Sequence, residues 1–249
     1  MIVALRPLDN AFDSEAKRVA IEHQLAIAAQ GGATLALFPE CGLSGFKERS
    51  DLSPPHLRAA SAALQAGVAR HRIAALVPSI ELDRSGRPRN RARLIGADGT
   101  LLAIFEKTGL TCPEQTWFAT GDVARRRSFA LGGLRLGVLF CIELAEPAER
   151  YVDEPVDAVL WPAYWGHGEP FDWTAAGPHE AYARMRDRAR VWRAPLLQAN
   201  FRRPEAHPRE QAGTVLGGSV AVAIDGSLLH PFEPHRAQPL LIEMAPAVR

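Results

Sequence analysis

A chain of 249 residues is long enough for one large domain or two small ones, and it buries roughly 70–75% of its unfolded surface without disulfide or metal staples. Apolar residues make up 47% and charged residues 23%, the balance of a soluble globular protein. Lys+Arg 29 against Asp+Glu 28 leaves a net +1, which argues against a nucleic-acid or polyanion surface as the main business of the chain.

Ile2–Leu5 is an apolar run of strand length. Ser14 reads as the N-cap of a helix over residues 15–30, where Val19, Ile21, Leu25, Ile27 and Ala28 recur at roughly helical spacing, and Gly31-Gly32 ends it. Residues 33–38 are continuously apolar and stop at Pro39-Glu40. The absence of alternation predicts a strand covered on both faces, with a carboxylate at its tip. A second helix over 53–72 begins at Pro54-Pro55, and a strand follows over 73–82, in which Pro78 marks a break or an edge position. Residues 90–96 and 101–106 flank Asp98-Gly99, the strongest hairpin signal in the chain, and the second arm ends at Lys107. Residues 108–122 read as irregular. Residues 127–131 and 134–140 pair around Gly132-Gly133, and the latter run delivers Cys141. Beyond it come a short helix over 146–151, a strand over 158–162, a helix over 178–193 and a strand over 195–200. A second hairpin turns at Asp225-Gly226, and a last apolar stretch covers 240–244. Helices and strands alternate, but hairpins interrupt them, so the predicted class is α/β with mixed sheets. No repeat or linker divides the chain, and residues 1–249 read as a single domain.

Cys41, Cys112 and Cys141 are widely spaced and form no CxxC, and the eight histidines make no zinc-type pattern. Free thiols in a reducing cytoplasm, with no metal and no cofactor, are therefore expected. The N-terminus lacks a basic region followed by a signal-length apolar run, and no stretch approaches the ~18–20 apolar residues of a membrane span. The arginine run at 125–127 reads as a solvated face. Taken alone, Cys141 reads as a core thiol, because free cysteine is among the most buried residue types. Yet Glu40, Lys107 and Cys141 each stand at the end of an apolar strand, where α/β folds gather their chemistry. Together they suffice for acyl transfer. A thiol attacks a carbonyl or nitrile carbon, a carboxylate takes the proton, and an ammonium stabilises the oxyanion.

The residues around these three positions resemble the nitrilase superfamily of carbon–nitrogen hydrolases. Phe38-Pro39-Glu40 with Leu43-Ser44-Gly45-Phe46 is similar to the first block of that family. Phe105-Glu106-Lys107 with Leu110 is similar to the second, and residues 137–143 with Pro147 to the third. Weaker likenesses lie at Asn90-Arg91-Ala92, at Trp161-Pro162-Ala163, over 183–200, and at Gly217-Gly218-Ser219 with Asp225-Gly226. The resemblance implies a four-layer α-β-β-α sandwich. It also implies Glu40 as general base, Lys107 as oxyanion stabiliser, Cys141 as nucleophile and the backbone N–H of Ile142 as a further oxyanion donor. Glu114 is the candidate for a second active-site carboxylate. The implied activity is that of an amidase on a small amide or carbamoyl compound; the alternatives are a nitrilase or a catalytically silent binding member. A homodimer or higher homo-oligomer is implied as well.

Trp117, Tyr164 and Trp165 are candidate substrate contacts, with Trp161 and Trp173 as further aromatic area. His167 and Arg184 are possible contacts for a carboxylate on the substrate. Cys41 and Cys112 are expected to be passive. The chain departs from the family pattern at Arg6, where glutamine is usual, at Gly109 in place of histidine, at Glu143 in place of aspartate, and at Ala145 in place of arginine.

Overall fold

The computed structural model describes residues 1–8, 14–45, 53–122, 128–146, 148–167, 180–201, 214–215, 218–231, 233 and 236–246. The chain runs β1 (Ile2–Leu5), α1 (Ser14–Gln30), β2 (Leu35–Leu37), α2 (Pro54–His71), β3 (Ala74–Leu82), β4 (Pro88–Ile95), β5 (Leu101–Glu106), α3 (Cys112–Trp117), β6 (Phe129–Leu131) and β7 (Leu134–Val138). Two 3₁₀ turns, Cys141–Ala145 and Ala148–Tyr151, lead to β8 (Ala158–Pro162), β9 (Gly166–His167), α4 (Glu180–Trp192), β10 (Leu196–Ala199), β11 (Thr214–Val215), β12 (Val220–Val222) and β13 (Leu240–Glu243).

Two sheets carry the fold, a six-stranded one in the order β13-β1-β2-β3-β4-β5 and a five-stranded one in the order β12-β10-β8-β7-β6. The short apolar strand β2 shows why they stack. Leu35 and Leu37 enter a core shared with Leu136, Val138, Leu160 and Leu197 of the other sheet. Ala36 and Phe38 face the opposite way, into a layer with Ile21 and Leu25 of α1 and Leu64 and Val68 of α2. The continuous apolar run thus serves two cores, as expected for a strand covered on both faces. On the far side, Tyr182, Met185, Ala189 and Trp192 of α4 pack on Val159, Trp161, Leu196 and Val222. The layers are therefore helix, sheet, sheet, helix, the predicted sandwich.

The strand directions gather the active ends. β1, β2 and β3 are mutually parallel, and β4 returns antiparallel between β3 and β5. β7, β8 and β10 are parallel in the other sheet. Glu40 N–H donates to the Ala163 carbonyl at 3.3 Å, so the ends of β2 and β8 meet across the two sheets. Pro78 lies where an edge position was expected. β2 pairs with β3 only as far as Leu76, and beyond it β4 is the neighbour.

Several local expectations are corrected. Residues 108–122 are not wholly irregular, since α3 occupies Cys112–Trp117. β7 ends at Val138, and Cys141 opens a 3₁₀ turn instead of directly following a strand. The turn at Asp225-Gly226 is closed by a single bridge between Val222 and Leu228, less than a hairpin of two strands. β9 and β11, which periodicity did not reveal, form a separate two-stranded ribbon. The likenesses at Phe46, Pro147 and Gly217, the arginines at 125–127 and Trp173 lie outside the described residues.

β7 carries one position that tolerates no side chain. A Cβ on Gly137 would stand 2.6 Å from Tyr151 Cζ, whose hydroxyl donates to the Val138 carbonyl at 2.7 Å. Gly137→Ala is expected to destabilise the fold by about 1–3 kcal/mol, read as a lower denaturant midpoint. An unchanged midpoint would mean that the ring moves aside freely.

Candidate active site

Glu40 leaves β2 through Pro39 into a turn that the rest of the sheet holds. Leu43 N–H donates to the Pro78 carbonyl at 3.0 Å, and Ser44 Oγ accepts from Ile80 N–H at 2.9 Å. Lys107 follows β5 directly; its N–H donates to the Asn90 carbonyl, and its own carbonyl accepts from Gly121, both at 2.9 Å. Cys141 reaches the same place from β7, on a backbone with φ of 32°. That is the left-handed region, which a residue with a Cβ occupies only where its surroundings enforce it.

These side chains converge in the interior. Glu40 is 0% exposed, Lys107 1% and Glu114 5%. Lys107 Nζ donates to Glu40 Oε1 at 2.8 Å and to Glu114 Oε1 at 2.5 Å. Glu114 reaches the ammonium because α3 starts at the right spot. Its Oε2 accepts from Thr111 N–H at 2.9 Å and from Thr111 Oγ1 at 3.0 Å, so one carboxylate caps its own helix and holds the lysine.

Burial dominates the electrostatics. It raises the Glu40 pKa, against the lowering by Lys107. For Lys107 burial works downward, but Glu40, Cys141 and Glu114 outweigh it and hold the ammonium above its usual range. The Cys141 thiol is raised well above 9.0 by burial first and Glu40 second, with Lys107 pulling the other way. The sequence shows a lysine and a carboxylate competing for the thiol; once enclosed, the thiol stays protonated at rest. Its Sγ donates to the Tyr164 carbonyl at 3.4 Å.

Tyr164 and Trp165 are half-buried beside this thiol. The Tyr164 ring packs edge-on against Phe201, and Trp165 against Trp161, whose Nε1–H donates to the Cys141 carbonyl at 3.0 Å. Ile142 is half-buried within the 3₁₀ turn. Trp117 is not drawn in: it is exposed at the end of α3 and packs edge-on against Phe118. Arg184 is exposed on α4, and the side chain of His167 lies outside the described set. Cys112 is exposed, whereas Cys41 is fully buried against Ile80 and Phe118. Among the described residues, no group of three or more His, Cys, Asp or Glu is arranged to hold a metal ion, and no helix is long and apolar enough to cross a membrane.

Asn90, noted in the sequence only within a weaker family likeness and given no role there, belongs to this site. Its Nδ2 donates to Glu40 Oε1 at 2.8 Å, so that oxygen accepts from both an amide and an ammonium. The signal was present. On β4 the inward positions are Pro88, Asn90, Ala92 and Leu94, and a lone amide in an apolar register needs a buried partner. Arg6, just past the end of β1, is buried as well. It is 0% exposed, and none of its guanidinium nitrogens has a hydrogen-bond partner among the described residues. Burial lowers its pKa to about 10, below the usual guanidinium range. The fold therefore binds this proton less tightly than the unfolded chain does. The penalty is full below pH 10 and is relieved as pH rises above it towards the usual guanidinium range. Arg6→Gln is expected to raise the melting temperature at pH 7. A fall would reveal an interaction that the guanidinium supplies.

A family model described as carbon-nitrogen hydrolase matches residues 2–230. Comparison with curated protein sequences gives no match. Among solved structures, an amidase from Nesterenkonia sp. superposes with a TM-score of 0.78 at 23% identity, covering 97% of this chain and 88% of that one. The NitN amidase from strain AN1 gives 0.79 at 24% identity, with 97% and 91% covered. A glutamate-to-glutamine variant of the AN1 amidase, at 0.79 and 23% with 97% and 88% covered, shows covalent addition of the acetamide moiety of fluoroacetamide at the active site cysteine of that protein. At these identities the likeness bears on the fold.

Proposed function

Because this chain belongs to the carbon–nitrogen hydrolase family, we propose that it is an amidase that cleaves a small amide through an acyl-thioester on Cys141. The observation that carries this reading is the buried Lys107 ammonium, gripped by Glu40 and Glu114 at the point where the Cys141 turn arrives. In the attack, the Cys141 S–H proton passes to Glu40 while sulfur bonds to the carbonyl carbon. Lys107 and the Ile142 N–H hold the oxyanion. Collapse breaks the C–N bond, and Glu40 returns its proton to the leaving amine. Water then adds to the thioester, again giving its proton to Glu40. Breaking the C–S bond releases the acid and restores the thiol. Glu114 keeps Lys107 in place and faces the substrate side, and Tyr164 and Trp165 line the acyl pocket; Trp117 would contribute only at its rim. The fluoroacetamide-derived adduct of the structural neighbour supports amides over nitriles as the substrate class.

The decisive experiment is intact-protein mass spectrometry during incubation with short aliphatic amides, carbamoyl compounds and nitriles, with ammonia assayed in parallel. An acyl adduct on Cys141 and ammonia from the amides are expected. Turnover of nitriles alone would replace the amidase by a nitrilase, and no adduct or ammonia from any of them would leave a binding protein. We further read residues 1–249 as one catalytic domain, supported by the pairing of β1 with β13 at opposite ends of the chain. A cytoplasmic homo-oligomer completes the proposal, to be checked by light scattering and cell fractionation.

A further inference from the structure

Glu143, two residues past Cys141, is 1% exposed and takes no part in the steps above. Its carboxylate gathers donors from two directions. Oε1 accepts from Thr108 N–H at 2.7 Å, Thr108 Oγ1 at 2.9 Å and Gly109 N–H at 3.1 Å, on the segment that follows Lys107. Oε2 accepts from Phe140 N–H at 2.8 Å, immediately before Cys141, and from Arg150 Nη1 at 2.9 Å. Arg150 also donates through Nη2 to the Val138 carbonyl at 3.0 Å, at the end of β7, and lies over the Tyr151 ring. One carboxylate thus bridges the residue after the ammonium and the residue before the nucleophile.

Both strand ends are shaped around this bridge. A Cβ on Gly109 would stand 3.0 Å from Glu143 Cγ and would push the Glu146 carboxylate aside, so the lysine segment passes close against the bridge. Burial by itself raises the Glu143 pKa, but Arg150 and the backbone donors of Thr108, Phe140 and Gly109 outweigh it, and the carboxyl stays below its ordinary range. Glu143 is therefore a full acceptor at neutral pH, and its contribution to stability is lost only as pH falls through that lowered value. Charge-assisted hydrogen bonds of this kind are short and directional, which suits a spacer.

We propose that Glu143, braced by Arg150, is a positioning residue that sets the spacing between Lys107 and Cys141, a role that rests on the amidase reading. Five donors converge on two oxygens, so neither segment moves without breaking several bonds. The Cys141 backbone, held at positive φ, depends on the same anchorage.

The test uses two readouts, one of which needs no turnover. Glu143→Gln places an N–H₂ against donors on one side of the bridge. It is expected to lower kcat about 10²-fold with KM changed less than threefold, the scale of a misplaced reacting group. Independently, alkylation of Cys141 by iodoacetamide, followed by mass spectrometry against pH, is expected to shift to higher pH as Lys107 retreats from the thiol. Arg150→Met should move both readouts the same way, and Arg150→Lys should recover part of each. Tyr151→Phe removes the hydroxyl bond to Val138 without touching the bridge. It is the control: it should lower the melting temperature yet leave the alkylation curve in place. If Glu143→Gln only lowers the melting temperature, with kcat and the curve as in the wild type, the residue is structural and the proposal fails. If the wild type itself turns over no amide while the curve still shifts in the variants, the spacing at the thiol stands and the amidase reading falls.

Discussion

Cys141→Ala is expected to abolish ammonia release from amides while leaving the fold in place. The side chain is half-buried, and its thiol donates to the Tyr164 carbonyl. Alanine asks the same of a backbone at positive φ as cysteine does, so the turn survives. The stability change should lie within about 1 kcal/mol. The loss of rate should be on the order of 10⁴-fold or more, because oxyanion stabilisation and binding alone remain. Neither other cysteine can stand in. Cys41 is fully buried, and its thiol is raised well above 9.0 by burial, while Cys112 sits exposed at the start of α3. Ammonia release within tenfold of the wild type would overturn the nucleophile assignment. Equal melting temperatures for the two proteins would show that the loss is chemical.

Lys107→Met carries the largest expected effect on stability as well as on rate. Methionine fills about the same space but leaves Glu40 and Glu114 facing each other with no cation between them. An uncompensated buried charge costs about 3–5 kcal/mol. The pH dependence gives the signature. Burial already raises the Glu40 pKa in the wild type, so the fold binds this proton more tightly than the unfolded chain. Stability from that group is fully present below the ordinary carboxyl pKa of the unfolded chain and is lost as pH rises through the raised folded value. Without Lys107 the Glu40 pKa rises further, because the ammonium is what lowers it. The variant should therefore be much weaker than the wild type at pH 8 and closer to it at pH 5, measured by urea denaturation at both values. Turnover should be lost at either pH. A deficit independent of pH would mean that Glu40 is not the group relieved by protonation.

Much of the site could be read from the chain. Glu40, Lys107 and Cys141 stand out because each follows an apolar run, and a buried strand fixes where its last residue goes. Other parts were legible but passed over. Thr111 and Glu114 have the spacing of a capping box, the mark of a helix start, although α3 is too short to show a helical period. Asn90 stands at an inward position of an alternating strand, and its polarity was itself the signal. Glu143 and Arg150 could not be paired in advance. Their link depends on how the two 3₁₀ turns fold back against the end of β7, and such turns leave no period in the sequence.

By itself the sequence determined the order of the longer helices and strands, the two-faced burial of β2, and which residues close the apolar runs. These follow from local patterns of apolar and turn residues, which act over a few positions. The tertiary structure alone decided the chemistry of those ends. The bond between Lys107 and Glu40 spans 67 residues of chain, and no local pattern encodes that meeting. Protonation is settled by the same step. Cys141 holds its proton because the sandwich closes water out around it, and Lys107 keeps its charge against that same burial because Glu40 and Glu114 are folded against it. Desolvation is a property of the assembled layers, and no single segment carries it.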